Sequence, residues 1–331
     1  VTTIALLPDP ISPLSRETAG EAFAAILDGT APDAEIAEFL TGLAIRGETS
    51  IEIAAAARAL RDRMIAIEAP KGAIDVCGTG GDGHHTLNVS TAVSIVVAAC
   101  GVPVAKHGNR AASSQAGAAD TLEMLGLDLD RAERDAEGSL ADIGIAFLFA
   151  ASHHPAIKRL TPIRRAIGRR TIFNLMGPLA SPARVTRQLI GIARPDYAAT
   201  YAAALADLGT EAALVVAGEE ALDELSCAGP SVVVALGIPN VADRIAPEDA
   251  GLPRHPLSAI RGGDAAHNAH ALRALLDGER GPYRDAVLLN AAAALIVAGT
   301  ADTLSEGAET AAAALDDGRP AALLDRWIAY R

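Results

Sequence analysis

The chain has 331 residues, half of them hydrophobic and 21% charged, which excludes an intrinsically disordered protein and allows one large domain or two of unequal size. A formal charge of −13 argues against a general nucleic-acid or anionic-membrane binder, because phosphate affinity comes largely from Lys and Arg, but a locally basic pocket for a small anion remains open. With aromatics at only 3% and many alanines, the core should be made of closely packed small side chains with helices well represented. Cys77, Cys100 and Cys227 are far apart and show no C-x-x-C spacing, so they read as reduced, buried small residues. No apolar run reaches membrane-span length and no basic-then-apolar signal opens the sequence, so a soluble, cytoplasmic protein is expected.

Residues 15–67 read as consecutive amphipathic helices. Ser15 can cap the first, which ends at Asp28-Gly29; Pro32 suits the first turn of the second, and Gly47 its end. Thr49 or Ser50 can start a third. Ala69-Pro70-Lys71-Gly72 then breaks the pattern as a linker or hinge. Beyond it, short apolar runs recur at Ile74–Cys77, Val102–Ala105, Ile143–Phe147, Leu189–Ile192, Ala213–Ala217 and Val232–Ala235, most of them separated by helix-like stretches. That alternation predicts an α/β domain with a mostly parallel central sheet flanked by helices. The last third is Ala-rich and helical, most clearly over Ala265–Leu276, Ala286–Ala298 and Leu304–Asp316. The expected division is a small helical domain over 1–70, to which helices from about 155–186 can be added, and a larger α/β domain over 71–331.

The segment DVCGTGGDGHHTLNVSTA, from Asp75, carries the richest chemistry. Its glycines follow a predicted strand, where open parallel sheets bind ligands, and Ser90-Thr91 then open an apolar helix whose N-terminus offers further N–H donors. Gly78, Gly80 and Gly83 satisfy G-x-G-x-x-G, but His84-His85-Thr86-Leu87-Asn88 intervenes before the helix, and Ala98–Val104 holds no acidic residue for a ribose hydroxyl. Asp82 would repel a pyrophosphate unless it holds ribose hydroxyls or a metal-bound water. The Walker pattern is absent, and a structural turn with capping residues stands as the plain alternative. A second loop, KHGNRAASSQAGAAD from Lys106, puts Lys106, His107 and Arg110 at another predicted strand end, with Asn109, Ser113 and Ser114 as hydrogen-bonding groups.

GTGGDG with NVSTA, then KHGNR and SSQAGAAD, resembles the phosphoribosyl-diphosphate site of anthranilate phosphoribosyltransferases. FAASHHPAIKRLTPIRRAIGRRTIFNLMGPL, ALDELSCAGP and GGDAAHNAHALRALLDGERGPYRDAVLLNAAAAL follow in the same order, so the similarity spans nearly the whole chain. Pyrimidine nucleoside phosphorylases share the fold and a related glycine loop, and a non-catalytic nucleic-acid-binding relative is a second rival. The resemblance implies transfer of phosphoribosyl from 5-phosphoribosyl 1-diphosphate to the amine of anthranilate, the second step from chorismate to tryptophan. It assigns the diphosphate substrate to Gly78, Gly81, Asp82 and Thr86, to the helix start Asn88, Val89, Ser90 and Thr91, and to the basic loop from Lys106, His107, Gly108, Asn109, Arg110, Ala111, Ala112, Ser113 and Ser114 to Ala118. Anthranilate falls to Gly78, Asn109 and Arg164, with His107, His154, Gly177 and Pro178 shaping its channel. Arg164, rather than Arg165, is in register with the family motif after Thr-Pro-Ile. Ser90, Asp223 and Glu224 would serve two Mg²⁺ ions, partly through water. No residue is assigned as an obligatory acid or base. A homodimer through the helical domain is implied, and no nucleic-acid or membrane partner. Ala118 stands where the family usually has Ser, Ala151 where it has Pro, and His153 where it has an aromatic.

Overall fold

The computed structural model describes residues 7–111 and 115–331. Three helices come first: α1 (Arg16–Asp28), α2 (Asp33–Arg46) and α3 (Ser50–Arg61). Their ends follow the local chemistry. Ser15 accepts the Thr18 amide, Gly29 closes α1 in the left-handed region at φ 75°, and Thr49 and Glu52 exchange side-chain and backbone hydrogen bonds at the start of α3. Glu52 also holds the Leu14 amide at 2.9 Å and the Arg46 guanidinium, so one fully buried carboxylate ties the entry of the bundle to two of its helices. The third helix stops at Arg61, short of the expected 67.

The strands are β1 (Ile74–Gly78), β2 (Val104–Gly108), β3 (Ile145–Phe149), β4 (Arg187–Gly191), β5 (Ala212–Gly218), β6 (Ser231–Leu236) and β7 (Arg244–Ile245). They form one sheet in the order β3-β2-β1-β4-β5-β6-β7. Pairings from β3 to β5 are parallel, while β6 and β7 add antiparallel strands at one edge. The chain winds from β1 outward through β2 and β3, then returns to place β4 on the other side of β1. That reversal makes the carboxyl ends of β1 and β4 the topological switch point, where open α/β sheets have a crevice.

One sheet face is covered by α4 (Val89–Ala99), by the helix Pro282–Ala298 and by their neighbours, whose alanines allow close packing. The opposite face, through Ile190, Ala213 and Val215, shares one buried cluster with α1–α3. Leu160, Ile163, Ile172 and Phe173 from the 155–174 region join that cluster, as do Tyr201 and Leu205. Among the described residues no helix is long and apolar enough to cross a membrane. All three cysteines are free, with Cys77 and Cys227 buried and Cys100 only half-buried.

Candidate active site

The crevice is built from glycine upward. Gly78 and Gly191 are register partners at the ends of β1 and β4. A Cβ at either would collide with Asp223, so the absence of side chains lets the segment 220–225 lie across both strand ends. Gly80, Gly81 and Gly83 follow in the left-handed region at φ 72°, 76° and 81°. The Gly80 amide donates to Asp223 Oδ2 at 2.6 Å. Glu224 Oε1 accepts the Ser90 amide at 3.2 Å, at the N-terminal turn of α4. Asp82 accepts the His84 amide, and His84 Nε2 meets the Glu220 carbonyl at 2.8 Å, which joins the glycine loop to the acidic segment.

These contacts crowd Asp82, Asp223 and Glu224 together. Burial, with the charge of Asp82 adding to it, pushes Asp223 up to about 7. Burial and the neighbouring carboxylates raise Glu224 as well. Lys106 opposes the rise of Glu224, and its Nζ donates to the Val76 carbonyl at 2.9 Å and to Ser90 Oγ at 3.2 Å. Among the described residues no three His, Cys, Asp or Glu side chains form a ready-made metal cage. An all-oxygen set of three crowded carboxylates and the Ser90 hydroxyl fits Mg²⁺, which keeps waters and takes substrate phosphates as further ligands.

The basic loop differs from its expected form. The expected strand Val102–Ala105 is displaced: Pro103 has no amide to donate, and pairing with β3 runs from Val104 through Gly108. Lys106 and His107 therefore lie inside β2 and are buried. Burial lowers Lys106, and Asp75 beneath it opposes that change. His107 is no cation. Burial, with His154 at 5.1 Å between ring centroids, pushes it down to about 3, and its Nδ1 meets the Gly177 carbonyl at 2.8 Å. Arg110 is already paired, at 2.9 Å from Asp120 and in two contacts with Glu123. Of the three cations expected at this strand end, His107 is thus corrected to a neutral ring, while Lys106 is buried at its base and Arg110 keeps a charge already met by Asp120 and Glu123.

The remaining expected site residues are placed unevenly. Asn88 commits its side chain to structure, accepting from Thr121 at 2.6 Å and Asn268 at 2.9 Å, so the helix start offers the 89–91 backbone rather than this carboxamide. The helix begins at Val89, one residue before the expected Ser90. Thr91 is buried and its hydroxyl has no partner among the described residues. Thr86 bridges to Arg261, which fastens the loop's exit. Asn109 is exposed and accepts the Arg110 amide; the Ala111 and Gly117 amides both donate to Asp120, and Ala118 opens the helix Ala118–Met124. Gly108 is packed so closely on the Phe147 ring that a Cβ there would lie 2.6 Å from it. Ala112, Ser113 and Ser114 lie outside the described residues.

The channel side gathers His107, His154 and the short helix Met176–Leu179, whose Gly177 carbonyl holds His107 and whose Pro178 carbonyl takes Gln188 Nε2 at 2.7 Å. His154 is pushed down to about 4, mainly by burial, and the second nitrogen of His107 is buried without a partner among the described residues. Arg164 sits near the end of the helix Pro155–Ile167. Its guanidinium is half-buried with no counter-ion or hydrogen bond among the described residues, and burial lowers its pKa. A cation left unpaired in partial burial is suited to a carboxylate ligand. His153 instead turns to the Ile65 carbonyl at 2.7 Å, and Ala151 is exposed.

Comparison with known proteins resolves the family. Residues 70–321 match the glycosyl transferase family α/β domain, and residues 9–64 match that family's helical bundle domain. An anthranilate phosphoribosyltransferase from Sphingopyxis alaskensis is 67% identical over 325 residues, covering 98% of each chain. The chain belongs to the anthranilate phosphoribosyltransferase family. Another member, from Erythrobacter litoralis, is 60% identical over 97% of this chain and 98% of its own. The Thermus thermophilus anthranilate phosphoribosyltransferase superposes with a TM-score of 0.90 at 42% identity, covering 97% of this chain and 99% of that one. The Saccharomyces cerevisiae anthranilate phosphoribosyltransferase in complex with PRPP and Mg superposes at 0.86 with 27% identity, covering 96% and 93%.

Three residues at this site escaped the sequence reading. Asp75 is fully buried in β1 and accepts the His107 amide at 3.1 Å; its signal was one acidic residue inside an apolar strand. Asn290, buried in the helix Pro282–Ala298, accepts the Leu225 amide and donates to the Leu225 carbonyl, both at 3.0 Å. It fixes the backbone just after Asp223-Glu224, and its signal was a lone carboxamide in LLNAAAAL. Arg170 donates to the Gly80 carbonyl at 2.6 Å, and no pattern in the sequence singled it out.

Proposed function

We propose that this protein transfers the 5-phosphoribosyl group of 5-phosphoribosyl 1-diphosphate to the amine of anthranilate, giving N-(5-phosphoribosyl)anthranilate and diphosphate. The observation that carries the reading is the convergence of Asp82, Asp223, Glu224, Ser90 and Lys106 around a glycine-lined crevice at the switch point, in a chain of this family. Mg²⁺ would be held by Ser90, Asp223 and Glu224, two ions per site, and when bound it supplies charge neutralisation for the diphosphate. The amides of the glycine loop and of the α4 start are suited to the diphosphate oxygens. Arg164 would pair with the anthranilate carboxylate, and Asn109 and the neutral His107–His154 wall would orient the ring.

In the transfer, the C1–O bond to diphosphate breaks as the C1–N bond forms, through an oxocarbenium-like transition state. The bond's electron pair leaves with the diphosphate, and the amine nitrogen loses one proton to solvent. Anthranilate's amine is neutral near pH 7, so orientation matters more than deprotonation, and juxtaposing two substrates supplies roughly 7–11 kcal/mol. We read residues 1–70, together with helices from about 155–186, as one domain and 71–331 as the other, with the 69–72 linker as the hinge of closure around the ligands. A cytoplasmic homodimer paired through the helical domain completes the reading.

Loss of anthranilate fluorescence tests it, with purified protein, phosphoribosyl diphosphate and Mg²⁺ each omitted in turn. The reading requires loss only when all are present. Phosphate-dependent cleavage of pyrimidine nucleosides without any fluorescence loss would replace it with the phosphorylase reaction.

A further inference from the structure

A second crevice opens at the same switch point, behind the glycine loop. It has a volume of about 240 Å³ and lies against the carboxyl ends of β1 and β4 and the last residues before α3. Three arginines line it, Arg169, Arg170 and Arg194, in a chain whose formal charge is −13. Among the described residues Glu48 is the only carboxylate residue on its wall, and its oxygen already accepts the Tyr197 hydroxyl at 2.8 Å. Arg194 stacks 4.1 Å over the Tyr197 ring while pairing with Asp196, which holds its guanidinium in place. Neither Arg169 nor Arg170 has a carboxylate partner among the described residues, and Arg170 donates to the Gly80 carbonyl. Thr171, on the same wall and 3% exposed, has a hydroxyl without a hydrogen-bond partner among the described residues.

Cations gathered at one crevice in an acidic protein, beside a buried hydroxyl with no partner among the described residues, call for an anion. Guanidinium forks match the planar carboxylate and the phosphate face equally well. The remaining wall, with Leu175, Ile192 and the Tyr197 ring, suits a small apolar body. We propose that this crevice is a second binding site, separate from the diphosphate and anthranilate positions, for a small oxyanion with an apolar body. Arg170 joins it to the glycine loop. A ligand that draws the guanidinium away from Gly80 changes the loop's support, so the oxyanion and phosphoribosyl diphosphate should alter one another's affinity reciprocally. That coupling, unlike the site itself, rests on the proposed function.

Calorimetric titration of the full chain with benzoate, and separately with phenyl phosphate, tests the site. Wild type, Arg164→Ala and the double variant Arg169→Ala/Arg194→Ala are compared. Arg169 and Arg194 are exposed, so the double variant should fold, which circular dichroism checks. The expected result is one stoichiometric site in Arg164→Ala, any additional benzoate binding in wild type belonging to Arg164, and that site weakens at least tenfold in the double variant. Loss of benzoate alone identifies a carboxylate site, loss of phenyl phosphate alone a phosphate site, and loss of both a general oxyanion site. Unchanged affinity and stoichiometry for both probes in the double variant would overturn the proposal. Failure of the fluorescence assay in wild type would instead remove the transferase reading and leave this site standing.

Discussion

The glycine loop and the basic loop leave neighbouring parallel strands, β1 and β2, yet they handle charge in opposite ways. Around the glycine loop, like charges are left in tension: Asp223 is pushed up to about 7 by burial and by Asp82, and Glu224 is raised with it. Among the described residues of the basic loop, the charges are already settled. His107 is neutral, Arg110 is clasped by Asp120 and Glu123, and Lys106 is spent on Val76 and Ser90. The contrast shows that demand for a ligand is read from unsatisfied electrostatics rather than from residue type. A run of basic letters promised a phosphate grip, but the stronger signature is the crowding of Asp82, Asp223 and Glu224, which raises both Asp223 and Glu224.

The largest effect expected from breaking that contrast is on catalysis. Asp223→Asn should lower kcat/KM by about 10²–10³, in line with losing one charge-stabilising contact at a transition state, measured in steady state over a Mg²⁺ series. Arg164→Ala should come next, raising KM for anthranilate by about 100-fold while leaving KM for phosphoribosyl diphosphate within a few-fold, because a charge-assisted carboxylate pair contributes about 1.5–3 kcal/mol.

Asn290→Ala should cost about 2–4 kcal/mol in urea unfolding, since three hydrogen bonds of a buried carboxamide are lost and the Leu225 backbone is left unpaired. It should also raise the Mg²⁺ concentration needed for half-maximal activity, a change that a stability loss confined to the helix would not produce. The smallest effect concerns acid stability. His107 and His154 sit at about 3 and about 4 in the folded chain, below the ordinary 6.5. The unfolded chain therefore takes up protons first, so their contribution is complete above pH 6.5 and is lost as pH falls toward the folded values. Each should add up to about 1.4 kcal/mol per pH unit to the slope over that window. Urea midpoints at pH 7 and 5 should differ less for His154→Asn than for wild type.

Much of this architecture was legible in the sequence where the local signal was strong. Ser15, Gly29, Gly47 and Thr49 punctuate α1–α3 as their backbone chemistry demands, and Ala265–Leu276 and Leu304–Asp316 are helices over the expected spans. The loop glycines were equally legible, because Gly80, Gly81 and Gly83 take positive φ and Gly78 leaves room for Asp223, whereas Gly191, which does the same from β4, carried no pattern. The rest depended on tertiary partners. Nothing near Arg110, two residues past β2, announces that Glu123, thirteen residues on, will occupy it. Likewise the roles of Asn290 and Arg170 come from Leu225 and Gly80, which lie far from them in the chain. The two-residue strand β7 was too short to show a pattern.

The most direct test of the central claim is to measure activity and stability together on Asp223→Asn. If the carboxylates are crowded to hold a cation and its diphosphate, the substitution relieves repulsion, so kcat/KM collapses while the urea midpoint stays level or rises without Mg²⁺. A lowered midpoint with kcat/KM retained would contradict the account and make Asp223 a structural carboxylate that fastens the glycine loop.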